Sequence, residues 1–219
     1  MVDASTSFDL ADAPLADVEP AAPALSPAKR AFDIVVSLAV LVFVLPLLVA
    51  AALAVWVETG GPVLFRQRRT GLGGAPFVIY KLRTMHVQED GRRLKHASRD
   101  DARVTRVGAF LRKSSIDELP QLLNVLKGDM SLVGPRPHAL GHDLHYAALV
   151  PGYGDRFRTR PGLTGLAQVS GLRGEIHELD CMRRRVAADL AYVESWSLGL
   201  DVRIALKTLP RLLADERAY

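Results

Sequence analysis

From Ile34 to Val57 the chain runs 24 residues without a charged side chain. A straight helix of that length reaches roughly 36 Å, against a bilayer core of about 30 Å. The run therefore reads as a membrane helix, being long for a core helix of a soluble protein. Pro46 sits near its middle, where it removes a backbone donor and kinks a helix. Basic residues flank both ends, Lys29 and Arg30 before and Arg66, Arg68 and Arg69 after, so the positive-inside rule gives no orientation. A helix that enters, breaks at Pro46 and returns to the same side accounts for both features. A kinked span also tolerates the proline, and the residues alone leave the two open.

Before this run, residues 1–28 are rich in Ala, Pro and Asp, with Phe8 as the one aromatic. Such a segment buries too little apolar surface to offset its ordering entropy and reads as a disordered tail. Its early acids Asp3, Asp9 and Asp12 are unlike the basic start of a secretory signal. After the run, Pro62 to Arg69 and Phe77 to Arg83 alternate as two strands around a glycine-rich turn, a β-hairpin. A polar stretch, 86–113, precedes a helix around Leu119 to Leu126. Leu179, Met182, Val186, Leu190 and Val193 then mark an amphipathic helix over Ile176 to Glu194. From Trp196 the mix of leucines and basic residues suits an interfacial helix as well as a core one. A single cysteine, Cys181, excludes an internal disulfide and a cysteine metal cluster.

The formal charge is +4, and the basic excess is local: Arg66 to Lys113 holds thirteen Lys or Arg against four Asp or Glu. Directly after a membrane segment, that excess suits anionic headgroups. Few aromatics are interleaved for base stacking, which argues against nucleic acid. Within and beside this region lies Ser115-Ile116-Asp117-Glu118-Leu119-Pro120. Ser115 and Glu118 have capping-box spacing, one structural explanation for the motif. Pro120 is cheap only in a first helical turn, so a helix should start near Ile116 or Asp117. Asp117 would then sit at the positive end of a helix dipole, ionised and facing a phosphate-bearing substrate. The adjacent carboxylates could divide two tasks, attack on phosphorus by one and metal or proton handling by the other.

A carboxylate approaching a diphosphate meets repulsion of about 4 kcal/mol per charge at 4 Å and an effective dielectric near 20. The site therefore needs cations. Mg²⁺ is the expected ion, with Asp117 and Glu118 as its candidate ligands. Lys81 and Arg83 on the second strand, Arg112 before the acidic pair and Arg136 after it are the candidate phosphate-binding residues. Arg136 lies between Pro135 and Pro137, in a loop stiff enough to place a guanidinium with little entropy loss.

These residues fall within longer runs: Lys29-Arg30-Ala31-Phe32-Asp33, Lys81-Leu82-Arg83-Thr84-Met85, Leu111 through Gln121, Asn124 through Pro137, and Arg160 through Val169. Together they resemble the small monotopic phosphoglycosyl transferases, bacterial sugar transferases that start exopolysaccharide and glycoconjugate assembly. The resemblance covers Lys29 to Leu209. It implies that Asp117 takes a phospho-sugar from a UDP-hexose, releasing UMP, and that Glu118 is its partner near Mg²⁺. Undecaprenyl phosphate would be the acceptor. Lys81, Arg112, Arg136 and Arg173 match phosphate- or nucleotide-binding positions. The resemblance also implies a re-entrant helix, although Leu45-Pro46 replaces the family's frequent Ser-Pro at the break. His138-Ala139-Leu140 and Arg173-Gly174-Glu175 look like the branch handling plain hexoses.

The fold expected is α+β and mostly helical. A tail (1–28) precedes a re-entrant membrane helix broken at Pro46 (29–58), followed by a catalytic domain (59–219) with a short β-hairpin and interfacial amphipathic helices. The expected location is the cytoplasmic face of a bacterial inner membrane, with a homodimer left open. Two other readings compete: a membrane-bound UDP-sugar phosphodiesterase that hands its product to water, and a non-catalytic membrane-anchored scaffold.

Overall fold

The computed structural model describes residues 18–86, 101–172, 174 and 178–214. Helices α1 (Ala22–Leu25) and α2 (Pro27–Thr59) come first. Ser26 caps α2, its hydroxyl accepting from the Lys29 amide at 3.2 Å, and Pro27 fills the first turn, where its missing donor costs nothing. Gly60 ends the helix in the left-handed region, φ 60°. No non-helical residue separates the two halves of α2 at Pro46. Any change of direction there is a bend within one helix.

Residues 18–28, assigned above to a disordered tail, are instead folded onto the body. The Ala21 amide donates to Arg158 O at 2.7 Å, Arg160 Nη1 donates to Ala24 O at 2.9 Å, and Pro23 is buried. Composition missed this because the partners lie some 136 residues away along the chain.

One face of α2 meets the body. Lys29, Asp33 and Ser37 are buried at its start and Ala51 and Val55 near its end. The remaining circumference is exposed and apolar: Phe43 is 85% and Val57 73% accessible. Among the described residues this is the one helix long and apolar enough to cross a membrane.

Both ends of α2 are tied to the same body. At the start, Lys29 Nζ donates to Asp201 at 2.8 Å and to Val133 O at 3.0 Å. Arg30 donates to Val125 O and Leu126 O, two of the last carbonyls at a helix C-terminus. At the far end, Glu58 accepts from the Arg106 and Val107 amides at 2.9 and 3.1 Å, and Val55 packs with Leu82 and Leu111.

The hairpin is present within a residue or two of the expected bounds. Strand β1 (Leu64–Thr70) pairs antiparallel with β2 (Pro76–Leu82), Gln67 opposite Ile79. Helix α3 (Arg106–Lys113) lies in the stretch read above as merely polar, capped by Thr105, and α4 (Gln121–Lys127) ends at Gly128. A second, parallel pair, β3 (Ser131–Val133) and β4 (Gly162–Thr164), was not foreseen, because three-residue strands carry no periodic signal. Their approach requires glycine: a Cβ on Gly162 would collide with the backbone of Gly134. Between them lie α5 (Leu140–Ala147) and a 3-10 segment, Tyr153–Arg158. Helices α6 (Leu166–Val169), α7 (Leu179–Glu194) and α8 (Leu198–Ala214) complete the chain. Ile79, Leu122, Val125, Met130, Val133, Tyr192 and Ile204 form the main core, drawn from both strand pairs and three helices. Helix α8 turns Asp201 and Ile204 inward and leaves Val202, Leu206 and Leu209 exposed.

The Lys29–Asp201 pair is nearly water-free, with side chains 3% and 0% accessible. Asp201 also accepts from Tyr192 Oη at 2.7 Å and Trp196 Nε1 at 3.0 Å. Replacing Asp201 with Ala strands a buried ammonium at a cost of about 3–5 kcal/mol. A thermal unfolding scan of the Asp201→Ala variant is expected to fall by roughly 10 °C; an unchanged midpoint would contradict the anchoring role.

Candidate active site

The acidic pair sits in a three-residue 3-10 turn, Ile116–Glu118, between α3 and α4. A helical turn does begin at Ile116, as the proline argument required, but it is not the start of an α-helix. Pro120 has no amide to reach Ile116 O, and the Leu119 amide takes that carbonyl instead at 3.2 Å. Helix α4 begins only at Gln121. The dipole expected behind Asp117 is therefore absent as a multi-turn helix. The capping-box explanation also fails: Ser115 makes no side-chain cap bond. Its φ of 55° makes it the one non-glycine residue in the left-handed region among those described, a strain of order 1–3 kcal/mol placed two residues before Asp117.

That turn directs Glu118 at two cations. Lys81, from β2, donates from Nζ to Glu118 Oε1 at 2.7 Å. Arg136, from the loop after β3, donates from Nη1 to Glu118 Oε2 at 3.1 Å and from Nη2 to Oε1. Three chain segments thus meet on one carboxylate, with side chains only 12–26% accessible. Asp117, beside it, is 8% accessible. Burial pushes its carboxyl up to about 6, Glu118 adds to the rise, and Lys81, Arg112 and Arg136 oppose it. What favours its carboxylate form is the set of neighbouring cations, not a helix terminus. Burial lowers the Lys81 ammonium below its ordinary value, with Glu118 resisting and Arg136 assisting. Arg136 is raised, first by Glu118.

Of the residues proposed from sequence, Lys81, Arg112, Asp117, Glu118 and Arg136 are brought together. Arg83 is directed elsewhere: Nε donates to Met85 O at 2.9 Å and Nη2 to His86 O, holding the loop after β2. Arg173 lies outside the described residues. Among those described, no group of three or more His, Cys, Asp and Glu could hold a metal. Asp117 and Glu118 nonetheless fit Mg²⁺, which takes one or two carboxylates and completes its shell with phosphate oxygens and water. Both Glu118 oxygens already accept from cations, so a metal there would exchange for one of those bonds.

Sequence reasoning missed what lies behind Arg136. Arg156, 2% accessible, donates from Nε to Asp189 at 2.8 Å, from Nη1 to Tyr153 Oη at 2.9 Å and from Nη2 to Arg136 O at 2.8 Å. Tyr153 Oη in turn donates to Asp143 at 2.7 Å, which also accepts from Thr70 Oγ1 at 2.6 Å. Ordinary surface-type residues in scattered positions gave no pattern to read.

A buried carboxylate beside fixed cations, on a body that also carries a long exposed apolar helix, is chemically suited to a phosphate-bearing ligand. Residues 24–215 match the sequence profile of the bacterial sugar transferases. The chain belongs to the bacterial sugar transferase family, the phosphoglycosyl transferases to which its motifs point. It is 58% identical over 191 residues to a UDP-glucose:undecaprenyl-phosphate glucose-1-phosphate transferase of Caulobacter vibrioides, covering 87% of this chain and 72% of that one. It is 48% identical to a protein of the same name from Xanthomonas campestris, covering 88% of this chain and 40% of the relative. It is 45% identical to the exopolysaccharide production protein PSS of Rhizobium leguminosarum, over 87% and 98% of the two. The chain therefore spans about two fifths of the Xanthomonas relative and nearly all of the Rhizobium one.

Glu118→Gln removes the charge of the carboxylate to which both Lys81 and Arg136 donate. Activity is expected to fall by two orders of magnitude or more, in line with loss of electrostatic preorganisation, while thermal unfolding shows a folded protein. Near-normal rates would mean that the ion cluster serves only the fold.

Proposed function

We propose that this chain transfers a hexose-1-phosphate from a UDP-hexose to undecaprenyl phosphate through a phospho-sugar intermediate on Asp117. The observation that carries the reading is the site itself: a desolvated carboxylate beside Lys81, Arg112 and Arg136. An Asp117 oxygen attacks the phosphorus bearing the sugar. The bond from that phosphorus to the bridging oxygen breaks, and UMP leaves with the electron pair. An oxygen of undecaprenyl phosphate then attacks the same phosphorus and expels the Asp117 carboxylate, leaving the sugar on a diphosphate-linked lipid. Net charge is conserved in each step without a proton transfer. Glu118 is thus free of acid–base duty and can order Lys81 and Arg136 on the phosphates. Mg²⁺, held by Asp117 and Glu118, would supply further neutralisation of phosphate charge. The relatives at 58% and 48% identity are named for glucose and one at 41% for N-acetylgalactosamine. UDP-glucose is therefore the first donor to try.

The same proposal places the body at the cytoplasmic face of the inner membrane, with α2 re-entrant. Its support is that both ends of α2 bond to one body, Lys29 to Asp201 and Glu58 to the α3 amides. In a true span they would lie on opposite sides of about 30 Å of hydrocarbon. The exposed leucines of α8 and the flanking basic residues suit the interface.

Purified protein with UDP-glucose alone should release UMP up to one equivalent and carry a phospho-hexose on Asp117 by mass spectrometry. Asp117→Asn should lose both. Release that requires undecaprenyl phosphate would replace the covalent step by direct transfer, and equal multiple turnover without it would favour a phosphodiesterase. Full polysaccharide production by the Asp117→Asn variant would favour a scaffold.

For topology, cysteines placed at Ala4 and at Tyr219, in a Cys181→Ser background, should label only from the cytoplasmic side. Labelling of residue 4 from outside would establish a span.

A further inference from the structure

The loop that presents Arg136 is unusual in how it can be held. Pro135 and Pro137 have no amide hydrogens, so the segment is fixed chiefly through its carbonyls. All three consecutive carbonyls are gripped, each by a different element. Pro135 O accepts from the Gly162 amide of β4 at 2.9 Å. Arg136 O accepts from Arg156 Nη2 at 2.8 Å, and Pro137 O from Arg69 Nη1 of β1 at 3.3 Å. The grip on the carbonyl of Arg136 itself comes from a buried guanidinium whose other nitrogens are committed to Asp189 and Tyr153.

We infer that Arg156 is a positioning residue for Arg136: it fixes the backbone from which the Glu118-paired guanidinium reaches the donor phosphate. The three nitrogens of Arg156 bond in three directions, a geometry that a single ammonium cannot reproduce. Asp189 orients it from α7, while Tyr153 and Asp143 hold its other edge. Arg156 touches neither Asp117 nor Glu118 in any contact of the site, so its effect on the reaction must pass through Arg136. This inference rests on the transfer reaction proposed above for its kinetic part only.

The test uses the full chain and Arg156→Lys, which keeps a positive charge opposite Asp143 and Asp189 and so preserves folding better than a neutral residue. Hydrogen exchange at the Gly162 amide, which donates to Pro135 O on this loop, should accelerate at least about tenfold, while peptides of α2 and α4 exchange as in the wild type. Acceptor-independent UMP release should fall by on the order of 10²-fold, the scale of a misplaced positioning group. The division of that loss between kcat and KM should match that of Arg136→Lys. The double variant should be no slower than Arg136→Lys alone, within about twofold. Unchanged Gly162 exchange, or losses that multiply in the double variant, would overturn the inference. Acceleration everywhere would also overturn it, marking Arg156 as a general fold residue. If the wild type releases no UMP from any UDP-hexose, the proposed reaction fails, and the exchange measurement alone decides the role of Arg156.

Discussion

The ion cluster centred on Glu118 joins three separate parts of the chain through charge. Lys81 comes from the hairpin, Glu118 from the turn between α3 and α4, and Arg136 from the loop between β3 and α5. Each partner is largely withdrawn from water. A lone buried ion would cost several kcal/mol, and mutual attraction offsets that only when the geometry is good. The cluster therefore constrains its scaffold. Ser115 adopts a left-handed backbone to turn the acids inward, and glycines at 134 and 162 allow β3 and β4 to approach so closely that a side chain there would clash.

The long apolar helix α2 is tied into that scaffold rather than appended to it. Lys29 donates to Val133 O, the last residue of β3, two positions before the first carbonyl of the Arg136 loop. Glu58, at the other end of α2, caps α3, whose next residues are the Ser115 turn and the acids. The two ends of one apolar helix thus border the two loops that build the site. On the proposed reaction, a membrane that held α2 at a fixed depth would also fix the height of Asp117 above the lipid, as transfer from a water-soluble donor to a lipid phosphate requires.

Much of the site was legible in the chain because its chemistry is local. Asp117 and Glu118 are adjacent, and Lys81, Arg112 and Arg136 lie in short runs with distinctive punctuation. The long uncharged run and the alternating hairpin could be read from periodicity. What could not be read depends on distant partners. Residues 18–28 look unstructured by composition but are held by Arg158 and Arg160. The β3–β4 pairing joins segments about thirty residues apart through six residues in total. The Arg156, Asp189, Asp143 and Tyr153 network uses common residue types at irregular intervals. Arg83 shows the converse: proximity in sequence to Lys81 suggested a shared role, yet backbone carbonyls of its own loop take its guanidinium.

For the proposed attack on phosphorus, the burial of Asp117 answers two opposing demands. A fully hydrated carboxylate is reliably ionised, but its solvent shell must be stripped before it can reach phosphorus. A fully buried one without cations would be protonated and inert. Here desolvation raises the carboxyl to about 6 and the surrounding Lys81, Arg112 and Arg136 stop it there. Glu118 tunes the balance from both directions, since its own charge pushes Asp117 upward while it holds the cations that pull Asp117 down. A phosphate entering the site must share Lys81 and Arg136 with Glu118, so these cations stay ordered before substrate arrives and need little reorganisation afterwards. On this view the second acid is retained less for proton transfer, which the charge balance does not call for, than to keep two buried cations in place beside a carboxylate that must remain both charged and dry.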